Sequence, residues 1–376
     1  DPDLWLKTLE NLELLEISTI IPGHGPMGDR GHLVKMVSYL EELIAIRDTL
    51  DENQNLNEVP LPKGFQNWHF PEFFRANLGF LARQNLESDQ VFQEVGEIEN
   101  ENGIIHYKLR GRGTPILMLS SGPGYSGEYL TPVAGMLGRT DQIILPDLRG
   151  TGRSAVRQYN QETINLKNII NDLDSLRKYL ELDEWVLLGH GFGGMLAMEY
   201  AARFPENTQA LILTNSGGTD LRFLQYFGDN YERNLSKSDL DSLWYWENDI
   251  RKKKFPDKAW RMHFKIEQSA YLFDPLQVER LIKYFSREEY SQEMGDLLWN
   301  DLAANYDPEK GLLNYEGPVL LIAGRQDPMD ASTVYQIREF MPQAEIEIIE
   351  RCGHYPWIEQ PRTFYKAIDE FLEELD

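Results

Sequence analysis

The second part of the chain, from about residue 89, alternates short apolar runs with helical patterns. A run that is apolar at almost every position indicates a strand covered on both faces, as in a parallel sheet. Two segments with alternating apolar and polar residues, Val91–Glu99 and Gly103–Arg110, come first, and Asn102-Gly103 between them is a strong hairpin signal. The pattern predicts an α/β fold, with a doubly wound, mostly parallel sheet and an antiparallel start. The apolar runs are Ile116–Leu119, Gln142–Leu145, Trp185–Leu188, Ala210–Leu213 and Val319–Ala323, and the clearest helical patterns are Thr163–Leu180 and Met195–Phe204. Glu345–Ile349 is the next predicted strand after Val319–Ala323.

Two other stretches differ from this alternation. Residues 1–88 are expected to form a mainly helical N-terminal segment, with a short β-branched strand at 17–21 and a long amphipathic helix from about Gly31 to Leu50. Residues 218–314 lack strand signals and are rich in tryptophan, tyrosine and charge, so we expect a helical cap over the carboxyl edge of the sheet. The α/β core would then consist of residues 89–217 and 315–376.

Composition narrows the class of protein. The 376 residues are 41% hydrophobic and 26% charged, which is typical of a folded chain and not of a disordered one. The formal net charge of −24 argues against nucleic acid and anionic membrane surfaces as partners. The single cysteine excludes an intrachain disulfide and suits a reducing compartment, and no apolar run reaches about 18 residues. We therefore expect a cytoplasmic protein that neither enters a membrane nor binds nucleic acid.

The most informative segment runs from Trp185 to Met195: a buried strand, a glycine-rich turn and the start of a helix. This is the context of a nucleophile elbow, G-x-S-x-G, whose middle residue normally carries the reacting atom. Here the middle residue is Gly191, between Gly189 and Gly193. Three hypotheses fit: a dinucleotide-binding turn, a natural pseudoenzyme that keeps the elbow as structure, or a serine hydrolase whose serine was replaced by glycine.

An acid and a base follow in the order that an elbow requires. Asp327 lies in the loop after the apolar run at 319–323, and His354 lies in the loop after the last predicted strand. A histidine there can act as the general base, and the carboxylate would orient it and stabilise its charged form. Asp330 is the alternative carboxylate.

An oxyanion hole needs two backbone N–H groups, one directly after the nucleophile and one from a loop after an early strand. Phe192 would supply the first. The second would come from Ser121 or Gly122, in the segment Ser-Ser-Gly-Pro-Gly that follows the run at 116–119.

These motifs together resemble the α/β-hydrolase superfamily, and most closely its proline iminopeptidase group, over about residues 90–376. The resemblance rests on Ser-Ser-Gly-Pro-Gly at 120–124, Asp-Leu-Arg-Gly-Thr-Gly-Arg-Ser at 147–154, the elbow, Asp327 and His354. The chain departs from the family at Ser120 and Ser121, where the family has His and Gly, and at Gly191.

The resemblance implies a serine-type hydrolase of a small amide or ester, possibly an aminopeptidase, with no cofactor. A serine at 191 would attack, His354 would take and return its proton, and Asp327 would hold His354. Because Gly191 lacks the nucleophile, we expect the chain as written to be inactive. The alternative is a non-catalytic protein that binds a ligand in the same pocket.

The cap carries a second resemblance to those peptidases. Trp-Tyr-Trp-Glu at 244–247 and Lys-Ile-Glu-Gln at 265–268 resemble cap segments whose glutamates bind the free α-amine of the substrate. This assigns substrate binding to Glu247 and Glu267, with Trp246 and Tyr125 beside them, and implies a small molecule or short peptide as substrate. The alternative is that both glutamates lie on the surface of an acidic protein.

The N-terminal segment has its own resemblance. Ile-Ile-Pro-Gly-His-Gly-Pro at 20–26, followed by a long helix, resembles the C-terminal part of a metallo-β-lactamase-fold hydrolase, in which this histidine is a metal ligand. The H-x-H-x-D-H motif that supplies the other ligands is absent from the sequence, so we expect His24 to bind no metal within this chain. The segment would be a packed remnant or part of a longer fusion.

Overall fold

The computed structural model describes residues 29–47, 59–61, 91–100, 103–254, 256–285 and 290–375, with the single residues 9, 12, 19 and 74. The chain divides into two compact units, Asp1–Glu87 and Ser88–Asp376. His24, and the strand predicted at 17–21 apart from residue 19, lie outside the described residues.

The first unit contains helix α1, Arg30–Arg47, which confirms the long helix expected from about Gly31 over its described part. Its apolar residues Tyr39, Leu40 and Leu43 are buried together with Val59 and Phe74. The helical period brings positions 39, 40 and 43 onto one face, and this face forms the small core of the unit.

The second unit contains a sheet of eight strands in the described part of the chain. The strands are β1 Glu94–Asn100, β2 Gly103–Arg110, β3 Pro115–Leu119, β4 Gln142–Pro146, β5 Trp185–His190, β6 Thr208–Thr214, β7 Val319–Gly324 and β8 Glu345–Ile349. Its helices are α2 Thr131–Leu137, α3 Leu166–Tyr179, α4 Phe192–Arg203, α5 Leu224–Arg233, α6 Lys237–Glu247, α7 Asp249–Lys254, α8 Pro256–Ser269, α9 Val278–Ile282, α10 Gln292–Asn305, α11 Glu309–Leu312, α12 Thr333–Phe340, α13 Pro356–Glu359 and α14 Pro361–Glu373, with short 3-10 turns at Glu128–Leu130, Pro205–Asn207 and Pro275–Gln277.

The strand order is β1-β2-β4-β3-β5-β6-β7-β8. Strands β1 and β2 are antiparallel to their neighbours, and all other pairs are parallel. The chain moves from β3 to one side of the sheet, returns to β5 on the other side of β3, and then continues outward. The carboxyl ends of β3 and β5 therefore form a topological switch point, where open α/β sheets bind their ligands.

Every residue of β5 and of β7 is buried, so both faces of the central strands are covered. Strands that are covered on both faces have apolar residues at almost every position, which is why the sequence shows them as continuous apolar runs. The predicted fold class is thus confirmed. The prediction for β8 agrees with the structure at both ends. The hairpin of β1 and β2 pairs Asn100 with Gly103, while the two residues between them lie outside the described part.

Three predicted elements begin three residues away from their start in the structure. The first strand begins at Glu94 rather than Val91, since Val91 and Phe92 are buried without strand pairing. Helix α3 begins at Leu166 rather than Thr163, because the Asn165 side chain accepts from the N–H of Asn168 and caps the helix. Helix α4 begins at Phe192 rather than at position 195, directly after the turn.

Between β6 and β7 the described residues form helices α5 to α11, as expected for the cap. Helices α6 and α8 pack against each other, and α8 also contacts α9. Helix α10 contacts α3, and α11 contacts α4, so the end of the cap is attached to the core.

None of the helices in the described ranges is both long enough and apolar enough to cross a membrane.

Candidate active site

Gly191 lies at the turn between β5 and α4, with φ 55° and ψ −116°. This combination lies outside the regions that L residues adopt comfortably, so glycine is under less strain here than serine would be. The turn is fixed on both sides: the Gly191 N–H donates to the Thr214 carbonyl at 3.1 Å, and the Gly191 carbonyl accepts from Gly194 N–H at 3.1 Å. The backbone here is a strand, a tight turn and a helix start, the arrangement of a nucleophile elbow.

Close packing requires glycine on both sides of Gly191. A Cβ on Gly193 would overlap the carbonyl group of Leu119, and a Cβ on Gly189 would overlap that of Gly193. These contacts are with backbone atoms, which cannot move aside cheaply. Strands β3 and β5 and the start of α4 therefore approach one another at this turn.

Asp327 and His354 form a buried pair. The His354 Nδ1 atom lies 2.9 Å from Asp327 Oδ2, and both side chains are almost fully buried. Asp327 Oδ2 also accepts from Asn215 Nδ2 at 2.6 Å, and its Oδ1 accepts from the Met329 N–H at 2.9 Å. The alternative carboxylate, Asp330, accepts instead from the N–H of Ser332 in its own turn.

The other ring nitrogen of His354 faces the elbow. A Cβ built on Gly191 would lie 3.1 Å from His354 Nε2. The same Cβ would overlap the hydroxyl oxygen of Ser121 and lie 3.1 Å from the Ser121 Cβ. The structure therefore brings Gly191, His354 and Ser121 together around one point, at the end of β3 and β5.

Two backbone amides near this point are predicted to form an oxyanion hole, that of Phe192 and that of either Ser121 or Gly122. Phe192 is the first residue of α4, where N–H groups lack intrahelical acceptors and the helix dipole favours negative charge. The Ser121 N–H is already engaged, because it donates to the Tyr129 hydroxyl at 2.5 Å. Within the described ranges the N–H groups of Phe192 and Gly122 have no acceptor.

His190 connects the Ser121 loop to the His354 loop. Its Nε2 lies 2.8 Å from the His354 carbonyl oxygen, and its Nδ1 lies 2.8 Å from the Tyr129 hydroxyl. A carbonyl only accepts, so Nε2 carries the proton; Tyr129 then donates to Nδ1 and accepts from Ser121 N–H. Burial, with the nearby His354 ring, holds the pKa of His190 well below its ordinary value, which keeps this neutral tautomer. His190 is therefore structural, and it is not a substitute nucleophile.

A cavity of about 290 Å³ opens beside this point. Most of its wall is aromatic or apolar, and the described residues that line it include no carboxylate, ammonium or guanidinium group. The lining residues are Ser121, Gly122, Pro123, Tyr125, Tyr129, Phe192, Met195, Phe223, Leu224, Phe227, Gln268, Tyr271, Phe285, Tyr290, Trp299, Met329, His354 and Tyr355. Several come from the cap, which therefore covers the switch point.

Of the predicted substrate-binding residues, Tyr125 lines the cavity and burial raises its pKa, so its hydroxyl stays protonated. Glu247, Glu267 and Trp246 do not line it. The two glutamates lie on either side of His263, at 3.3 Å from Nε2 and 3.1 Å from Nδ1, and the hydrogen bond to Glu267 with the weaker one to Glu247 raises the pKa of His263.

The positions of these three residues have a physical reason. Glu247 has a half-exposed side chain, and Trp246 lies under the ammonium group of Lys258, 5.7 Å from its ring centroid. Glu267 directly precedes Gln268, which lines the cavity. Neither glutamate is among the described residues that line the cavity, and each carboxylate has the imidazole of His263 as a partner.

Two residues important to this geometry were not singled out from the sequence. Asn215 follows β6 with a positive φ of 49° and donates from one amide nitrogen to both Asp327 and the Gly353 carbonyl. Tyr129 lies in the 3-10 turn after the Ser121 loop. Asparagine tolerates positive φ better than most residues, but nothing local marks its distant partners.

The loop motif at 147–154 is structural. Arg149 donates from Nε to Asp172 Oδ2 at 2.7 Å and from Nη2 to Oδ1, and both side chains are buried. Burial raises the pKa of Asp172 in spite of the arginine that lowers it. Asp147 accepts from the Arg153 N–H and lies 3.1 Å from His106 Nδ1. The motif thus fixes a loop and contributes no group to the cavity.

That His24 binds no metal within this chain stays a prediction, because His24 lies outside the described residues. Within the ranges that the structure covers, no three or more His, Cys, Asp or Glu side chains come together as metal ligands.

Comparison with known proteins agrees with this architecture. The sequence model of the alpha/beta hydrolase fold matches residues 114–361. A 2-hydroxy-6-oxo-2,4-heptadienoate hydrolase of Pseudomonas putida is 24% identical over 294 residues, which cover 75% of this chain and 98% of that protein. A proline iminopeptidase of Clostridium botulinum is 25% identical over 290 residues, covering 72% of this chain and 95% of that protein. The solved structure of an alpha/beta fold family hydrolase from Bacillus anthracis superposes with a TM-score of 0.60 at 19% identity, over 74% of this chain and 99% of that one.

Proposed function

Since the chain belongs to the alpha/beta hydrolase fold family, we propose that it has the active-site frame of a serine hydrolase for a small ester or amide. The observation that carries this proposal is the Asp327–His354 pair, whose free Nε2 faces the elbow at Gly191. The elbow itself has no side chain to attack a substrate, so no covalent step can start from position 191.

In this frame each group has a separate role. His354 Nε2 takes a proton from the attacking hydroxyl, and Asp327 holds the ring and stabilises the imidazolium. The N–H groups of Phe192 and Gly122 stabilise the negative oxygen of the tetrahedral intermediate. Loss of one such donor typically costs about 10²–10³ in rate, so the amides are a substantial part of the machinery.

The cavity supports a neutral substrate with an apolar or aromatic acyl group. Its volume of about 290 Å³ is at the lower end of small-molecule sites, which span about 300–1,000 Å³. A buried ammonium group needs a charged partner, and the described lining residues offer none. Glu247 and Glu267 are paired with His263 instead, so the geometry favours esters and neutral amides over substrates with a free α-amine.

This substrate class is testable by calorimetry on matched ligands. We expect an aminoacyl arylamide with a free amine to bind no better than its N-acetylated analogue. A preference of about tenfold or more for the free amine, lost in Glu267→Gln, would restore amine capture as the basis of recognition.

The frame itself is tested by returning a hydroxyl to position 191. A Gly191→Ser change needs room that the Ser121 side chain occupies, so the variant to make is Gly191→Ser with Ser121→Gly. We expect it to hydrolyse aryl esters with short apolar acyl groups and to react with a fluorophosphonate at position 191. The matched control is Gly191→Ala with Ser121→Gly, which has the same backbone and bulk without the hydroxyl and should be inactive.

A second candidate, a non-catalytic ligand-binding protein, is favoured by the glycine at 191. It predicts that the unmodified protein binds small apolar esters in the cavity and does not turn them over. Turnover of these esters by the unmodified protein would rule this candidate out.

A further inference from the structure

We propose that Ser121 supplies the nucleophilic hydroxyl that position 191 lacks, so that the protein as it stands hydrolyses small neutral esters through the loop after β3. This inference rests on the hydrolase frame proposed above. It assigns the attacking atom to a residue whose backbone, and not its side chain, the sequence had suggested for the site.

The sheet register brings the two positions side by side. Strands β3 and β5 are parallel neighbours, and Leu119 pairs with Gly189 at their carboxyl ends. Ser121 and Gly191 each lie two residues beyond this pair. A Cβ on Gly191 would overlap the Ser121 hydroxyl oxygen, so this oxygen occupies the space in which an elbow side chain would begin.

The base faces the same space. A Cβ built on Gly191 overlaps Ser121 Oγ, and the same Cβ position lies 3.1 Å from His354 Nε2. The other ring nitrogen of His354, Nδ1, is held by Asp327. Both Oγ and Nε2 line the cavity through their residues, and within the described part of the chain neither atom has a hydrogen-bond partner. Nucleophile and base are often further apart before substrate binds, and the Cα–Cβ bond of serine allows Oγ to move.

The backbone beneath both groups is fixed by one chain of hydrogen bonds. The Ser121 N–H donates to Tyr129, Tyr129 donates to His190, and His190 donates to the carbonyl oxygen of His354. The loop that carries the hydroxyl is thereby tied to the loop that carries the base. Rigid mutual positioning of this kind is what an acyl-transfer site requires.

The proposed step is balanced in atoms and charge. Ser121 Oγ bonds to the carbonyl carbon of the ester, its proton passes to His354 Nε2, and the carbonyl oxygen becomes negative near the Phe192 and Gly122 amides. The bond to the alcohol then breaks, and the alcohol oxygen takes the proton from Nε2. Water next attacks the acyl carbon and gives a proton to Nε2. The bond between that carbon and Ser121 Oγ then breaks, Oγ takes the proton from Nε2, and the carboxylic acid departs.

The experiment is covalent labelling of the full-length protein with a biotinylated fluorophosphonate, followed by peptide mapping. Ser121 Oγ would displace fluoride from phosphorus, and we expect the label on the peptide that contains Ser121. We expect Ser121→Ala to reduce the labelling rate by at least about 10³-fold. Ser126→Ala is the matched control: this buried serine of the same segment accepts from Glu128 N–H and is not among the residues that line the cavity, so its loss should leave labelling intact.

Mapping on the unmodified protein decides the question even where a variant folds poorly. An unlabelled protein, a label on any other residue, or labelling that persists in Ser121→Ala would overturn the proposal. If the Gly191→Ser, Ser121→Gly variant reacts while the unmodified protein does not, the hydrolase frame stands and the role of Ser121 is refuted. If neither reacts, the proposed function fails together with this inference.

Discussion

Asn215 donates from its side-chain amide to Asp327 at 2.6 Å and to the Gly353 carbonyl oxygen at 3.0 Å. One side chain at the end of β6 therefore holds both the carboxylate and the peptide that directly precedes His354. The charge-assisted bond to Asp327 is of the stronger kind, and all three residues are buried in the carboxyl edge of the sheet. The orientation of the Asp327–His354 pair thus depends on a residue outside the pair.

Replacing Asn215 should destabilise the folded protein because two hydrogen bonds are lost, and this effect can be separated from backbone strain. We expect Asn215→Gly, which keeps the positive φ without penalty, to lower the free energy of unfolding by about 1–3 kcal/mol. Urea denaturation measures it. Glu181→Gly is the control, since Glu181 has a φ of 57° but an exposed side chain, and it should be neutral or slightly stabilising. Equal effects of the two changes would show that the Asn215 bonds contribute nothing.

The hydroxyl of Tyr129 should stabilise the folded protein through its two buried hydrogen bonds. Tyr129→Phe removes the acceptor of Ser121 N–H and the donor to His190 Nδ1, both in a buried setting. We expect a loss of about 1–3 kcal/mol in the free energy of unfolding, because a buried polar group left unpaired carries its full desolvation cost. Tyr290→Phe removes a hydroxyl that bonds to exposed Gln292, and it should cost much less. Similar losses in both variants would contradict the hydrogen-bond chain.

The neutral state of His190 predicts a definite pH dependence. Its folded-state pKa lies well below the value of about 6.5 expected in the unfolded chain, with burial as the main cause and the His354 ring as the second. Between those two values the unfolded state binds a proton and the folded state does not. The contribution of neutral His190 to the free energy of unfolding is therefore complete above about pH 6.5, and it is lost progressively as the pH falls below this value.

This pH dependence is measured by denaturation of the protein and of His190→Gln, which cannot titrate. Below about pH 6.5 the unmodified protein should lose up to about 1.4 kcal/mol per pH unit more than the variant, the value for one proton. Parallel curves for the two proteins would mean that His190 takes up a proton in the folded state.

The fold could be predicted because its signals are local. Strands β5 and β7 are buried on both faces, so hydrophobicity alone marks them, and the order elbow, Asp327, His354 places three groups at the carboxyl ends of three parallel strands. The glycines at 189 and 193 can also be predicted from the local sequence, because a close backbone contact at the turn leaves no room for a side chain at either position.

The rest of the site depends on contacts between residues far apart in the chain. Asn215 reaches Asp327 across 112 positions, and Tyr129 reaches His190 across 61, and neither partner is implied by its neighbours in sequence. The glutamates at 247 and 267 carry a family-like pattern, yet His263 between them decides where they lie. The sequence gives no signal for the Ser121 side chain, because a loop after β3 is expected to act through its backbone.

The contact between positions 121 and 191 can be measured as a coupling energy, without assuming any activity. Gly191→Ala should destabilise the protein for two reasons: the positive φ, which costs about 1–3 kcal/mol, and overlap with the Ser121 hydroxyl, which forces one of the two side chains to move. In a Ser121→Gly background the overlap disappears and the backbone strain remains. A double-mutant cycle by urea denaturation should therefore give a coupling of about 1–2 kcal/mol, with Gly191→Ala less costly beside glycine than beside serine. A coupling below about 0.5 kcal/mol is within the range of independent sites and would show that the side chains at 121 and 191 do not contact each other. The geometric argument for Ser121 as the attacking residue would then fail.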